Sequence, residues 1–71
     1  MITEHRVRLV SSAGHDFPAW VLGNRFVLIK IQGHPAAEGR AWAVYDTITN
    51  TVAETVRRAD AVRWAEAKAK P

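Results

Sequence analysis

No cysteine occurs in this chain, which excludes a disulfide framework and any thiolate-held metal centre. Long apolar runs are missing too. Nothing approaches the roughly 20 consecutive apolar residues that span a bilayer, and residues 1–6 lack the apolar stretch of a secretory signal. A cytoplasmic protein is expected. The carboxylates are scattered singly, so no acidic pair is placed for general acid and base work. Gly33, Gly39 and the turn glycines do not fit G-x-G-x-x-G or the P-loop, both of which need a strand and a helix around them.

What remains is short and apolar. Seventy-one residues make one domain, 1–71. A chain of this size buries only about 60% of the surface its unfolded form exposes. With 48% hydrophobic residues and three Trp, it is too apolar for an intrinsically disordered chain. Marginal burial leaves a homodimer that hides leftover apolar surface as an open option. Trp20, Trp42 and Trp64 are evenly spaced, but their neighbours do not match and no repeat is read from them.

Charge is unevenly placed. Residues 1–56 carry five bases and five acids, whereas residues 57–71 carry Arg57, Arg58, Arg63, Lys68 and Lys70 against Asp60 and Glu66. The whole net charge of +3 therefore sits in the last segment, and a clustered field attracts anions as scattered charge does not.

Along residues 5–12, basic and apolar side chains alternate: Arg6 and Arg8 point one way, Val7 and Leu9 the other, as in a half-buried strand. Residues 13–16 are turn formers. Residues 17–22 form an apolar run in which Pro18 suits a strand start or an edge. Gly23 and Asn24 then turn the chain into residues 25–32, the strongest strand signal. That strand places Val27, Ile29 and Ile31 on one face and Phe26, Leu28 and Lys30 on the other. Both faces begin apolar, so the strand is central or one face meets a partner. Residues 33–40 read as the longest loop. Residues 42–48 and 51–56 read as a hairpin turning at Thr49 and Asn50.

From about Arg58 the period becomes helical. Ala61, Val62, Trp64, Ala65 and Ala69 share one side, with Arg58, Arg63, Glu66 and Lys70 mostly away from it. Asp60 in the first turn and Lys68 and Lys70 in the last suit the helix dipole. Strands first and helix last predict an α+β fold: an antiparallel β-meander of three to five strands with one C-terminal helix packed on one face.

His5, His15 and His34 come from a terminus, a turn and a loop, without ligand spacing, so no metal and no cofactor is expected. Ser11, Ser12, His15 and Asp16 are triad residue types, but near neighbours in one turn rarely converge on a cleft with an oxyanion hole. The chain therefore reads as a non-enzymatic binding module with no catalytic residues. Candidate contacts are the helix cations Arg57, Arg58, Arg63, Lys68 and Lys70, facing either phosphates, an acidic protein surface or solvent. Phe26 and Leu28 are candidates for an interface, or else for the core.

The order of Trp42, the turn at Thr49 and Asn50, the strand of residues 51–56 and the helix bearing Ala61 and Trp64 resembles the arm-type DNA-binding domain of phage tyrosine integrases, across residues 39–66. That resemblance implies a three-stranded sheet with a C-terminal helix and basic strands set into the DNA major groove. Here residues 41–56 contain no Lys or Arg and carry Asp46 and Glu54, so a shared shape does not bring the DNA-reading surface with it. Arg outnumbers Lys seven to three, a skew of high-GC genomes such as those of actinobacteria and their phages. The chain is also similar in size and style to small phage and mobile-element proteins, which implies a host-protein partner. Protein binding is thus the leading expectation, with a host protein or a second copy as partner. Nucleic-acid binding through the helix is the alternative.

Overall fold

The structure is a computed structural model and describes residues 3–31 and 39–70. The expected loop at 33–40 therefore lies largely outside the described residues, and His34 with it. Among the described residues, five strands, β1 (Glu4–Val10), β2 (Asp16–Leu22), β3 (Phe26–Lys30), β4 (Trp42–Asp46) and β5 (Thr51–Thr55), precede one helix, α1 (Arg58–Ala69). The sheet order is β1-β2-β3-β4-β5, every neighbour antiparallel, so it is the expected meander at its largest size, with β1 in the same sheet as the rest.

The turns follow from their residues. Gly23 and Asn24 both adopt positive φ (59° and 56°), the pair of left-handed positions that a tight hairpin requires. The Arg25 N–H closes this turn on the Leu22 carbonyl at 3.1 Å. Asn50 takes φ 62° at the end of the β4–β5 turn, its N–H donating to the Asp46 carbonyl at 2.8 Å. Pro18 sits where β2 extends beyond its ladder with β3, which begins at Ala19. Its missing donor thus costs no hydrogen bond to β3.

Because side chains alternate along each strand, the register defines two faces. One carries the rows Arg6–Trp20–Leu28–Val44–Ala53 and Glu4–Leu22–Phe26–Asp46–Thr51. The short connection after β5 folds α1 back onto this face, where it packs over β4 and β5 and less over β3. Ala61 and Ala65 are small enough to let the helix close on Leu22, Phe26, Leu28 and Val44, all fully buried. Trp64 meets the Phe26 ring edge-on at 6.2 Å between centroids, a geometry that adds to plain area burial. Trp20 and Trp42 flank this core, half-buried, with centroids 5.9 Å apart.

Among the described residues, no helix packs on the other face. Its rows are His5–Val21–Val27–Tyr45–Val52 and Val7–Ala19–Ile29–Ala43–Glu54. No helix among the described residues is long and apolar enough to cross a membrane.

Candidate interaction surface

The C-terminal cations do not share a patch. Arg58, expected on the outward side, is half-buried and turned toward the sheet. Its guanidinium lies 5.2 Å from the Trp20 ring centroid and 5.8 Å from that of Trp42, and it pairs with Glu4 at the start of β1. The helical period places Arg58 beside Val62 at the border of the buried stripe, and two half-buried indoles offer a cation a better site there than open water does. Lys68 likewise leans on Trp64, 5.1 Å from its centroid, while its carbonyl accepts from Arg25. Arg63 is exposed and pairs with Asp60 at 3.4 Å. Arg57 and Lys70 are exposed at opposite ends of the helix. On the outward side, Asp60 and Glu66 thus interrupt the positive charge of Arg63 and Lys70.

Phe26 and Leu28, offered above as interface or core, are core: both are fully buried under α1. The strand has two apolar faces, and the helix took this one.

Among the described residues, the interior of the helix side holds one ion pair. The Asp46 carboxylate is fully buried and Arg25 grips it bidentately, Nε to Oδ1 at 3.0 Å and a terminal nitrogen to Oδ2 at 2.8 Å. Oδ1 also accepts the Ile48 N–H at 2.9 Å and the Thr49 N–H at 3.4 Å, tying the β4–β5 turn. The hydrogen bonds from Arg25, with those from Thr49 and Ile48, hold the Asp46 carboxyl well below the ordinary carboxylate range against the opposing cost of burial. Arg25 is shifted upward by the same bond. This constellation is a clamp across β3 and β4, with its lone pairs occupied by the fold.

The triad residue types do turn chemistry. The His15 backbone N–H donates to Ser11 Oγ at 3.1 Å and the Gly14 N–H to the Ser11 carbonyl at 2.9 Å. Asp16 opens β2 and lies 3.8 Å from Arg8, both largely exposed. A hollow between β1 and β2 is lined by Arg6, Val7, Arg8, Asp16, Phe17 and Pro18. Among the described residues, no three His, Cys, Asp or Glu side chains gather as a metal site.

The sequence allowed one face of β3 to meet a partner but named Phe26 and Leu28 for it, and the face left open is the opposite one. Leu9 is 37% exposed, Phe17 40% and Val52 61%, and all three point to it. Between them Val7, Val21, Val27, Ile29 and Tyr45 are half-buried. Ala19 is the exception: it is fully buried, with Val7 and Ile29 as its cross-strand neighbours. The signal was present as Val27, Ile29 and Ile31 on one face of β3. Which of two apolar faces stays open is a matter of where the helix lands. Comparison with protein-family models, with curated proteins and with solved structures returned no match for this chain.

Proposed function

We propose that this chain is a non-enzymatic protein-binding module whose contact surface is the helix-free face of its sheet. The supporting observation is that face itself. It runs apolar across all five strands, with Leu9, Phe17 and Val52 exposed on it. Monomeric proteins rarely leave contiguous apolar patches larger than a few hundred Å² in water, and an extended apolar sheet face is a surface that a second protein layer covers. The helix side offers less to a partner, since its aromatic rings are taken up by Arg58 and Lys68 and by the core. Phosphate contact through α1 has less support than charge counting alone implies, because the helix cations are split between the sheet border, the outward side and the two ends.

A photo-crosslinking amino acid placed at Val27, on the open face, and separately at Ala67, on the outward side of α1, tests the reading. Covalent protein adducts are expected from position 27 and not from position 67. Equal adducts from both positions, or none from 27, would overturn it.

A further inference from the structure

We infer that the occupant of the open face is a second copy of this chain, packed sheet on sheet about a two-fold axis parallel to the strands, so that β1 of each copy lies over β5 of the other. This rests on the reading above and names its partner.

The strand order supplies the symmetry. Five strands in sequential order put β3 at the centre, so a two-fold along β3 lays the face on itself, as an isologous interface demands. The centre of the contact is then Val27 and Ile29 against the same residues of the other copy, apolar on apolar.

Charge fits the same arrangement. Within the strands, the ionisable groups on this face besides the Tyr45 hydroxyl are His5 on β1 and Glu54 on β5, at opposite edges. Stacking β1 over β5 puts His5 of one copy over Val52 of the other, with Glu54 two residues further along the same strand, twice by symmetry. An axis perpendicular to the strands would instead lay β1 over β1 and β5 over β5, gathering both Glu54 carboxylates at one edge of the contact and both His5 side chains at the other. Association through the β1 edge is opposed by Glu4, Arg6 and Arg8, exposed charges that blunt strand addition.

The area suffices. At about 4.8 Å per strand and 3.4 Å per residue, the face measures roughly 24 by 20 Å. Two such faces in contact bury on the order of 1,000 Å², the size a specific interface needs. The product is a four-layer molecule with helices outside and two aligned sheets about 10 Å apart inside.

The test is sedimentation equilibrium of the purified chain from low micromolar to near-millimolar concentration. A mass rising from one chain of 7.9 kDa to two is expected. Ile29→Lys should weaken association by on the order of a hundredfold or more, since an unpaired charge would be buried in the contact. Tyr45→Lys serves should that variant fail to fold. Because the chain has no cysteine, single-cysteine variants report the geometry cleanly. With a short bismaleimide, Val27→Cys should link to itself, whereas Val52→Cys should link to His5→Cys in a mixture and not to itself. Self-linking at position 52 would overturn the proposed axis. A chain that stays monomeric throughout would overturn the dimer, and the photo-crosslinks then separate the cases. Adducts from position 27 with another protein would leave the binding-module reading standing, and none at all would remove both.

Discussion

Asp46 ends β4 with a fully buried carboxylate, and its environment ties stability to pH. Its folded-state carboxyl titrates well below the ordinary value, chiefly because Arg25 donates to both oxygens. In the unfolded chain it titrates near the ordinary aspartate value of about 3.9. A depressed folded value means that the unfolded state takes up the proton first. The clamp's contribution is therefore complete above about pH 5 and declines as pH falls through 4 toward the folded value. Asp46→Asn should lower the thermal midpoint at pH 7, and the gap from the parent should close as pH drops below about 4. Melting curves by circular dichroism between neutral and strongly acid pH check both. A gap that persisted unchanged at low pH would mean that the carboxylate charge is not what the fold uses. Nothing in the residue pattern marked this pair, because Arg25 and Asp46 are 21 positions apart and meet only once β3 and β4 are in register. Asn50 was readable in advance, since a left-handed turn position is a local requirement.

At the scale of elements, a meander of three to five strands and the helix were legible from alternation, apolar runs and the helical period, and the turn residues marked where one ended and the next began. Boundaries moved by one or two residues, as where Asp16 opens β2 instead of closing the turn before it. The helix start shows a local choice left open: the N-cap position, Arg57, has the extended backbone of a cap, φ −115° and ψ 144°, but makes no side-chain cap bond. Arg57→Ser supplies an oxygen to the first-turn N–H groups and should stabilise the domain by about 1 kcal/mol, raising the melting midpoint by roughly 4–8 °C. A midpoint that fell instead would show that the Arg57 side chain serves the fold. Arg58 was misplaced by helical periodicity because a cation on a stripe border is assigned to water by its charge alone. Here two indoles from β2 and β4 and the Glu4 carboxylate receive it. Such a site does not exist until three strands and the helix are assembled.

For the molecule as a whole, the two faces of β3 should respond differently to truncation. Phe26→Ala removes a fully buried ring from the core and should cost about 3–5 kcal/mol. That approaches the entire stability, roughly 4–10 kcal/mol, of a domain this size. Val27→Ala on the open face should cost about 1 kcal/mol, reduced by its partial exposure, when measured by urea denaturation at concentrations too low for association. Comparable losses at both positions would mean that the open face is covered within a single chain. The molecule's extents of 36 × 25 × 19 Å suit the two layers that the described residues form, a sheet and a helix. A single 12-residue helix cannot span five strands, since it covers a width of about 10 Å and the sheet is about twice that.

By itself the sequence determined the class, the order of elements, the turns and the absence of any disulfide, because each depends on neighbours along the chain: alternation for strands, a 3.6-residue period for the helix, left-handed positions at Asn24 and Asn50. Tertiary structure alone decided which apolar face of β3 became core. Phe26 and Leu28 or Val27 and Ile29 could each have filled an interior. The choice fell to the short β5–α1 connection, to the small residues Ala61 and Ala65 that let the helix approach, and to the edge of Trp64 meeting Phe26. Those contacts join residues far apart in the chain, and no local pattern encodes them.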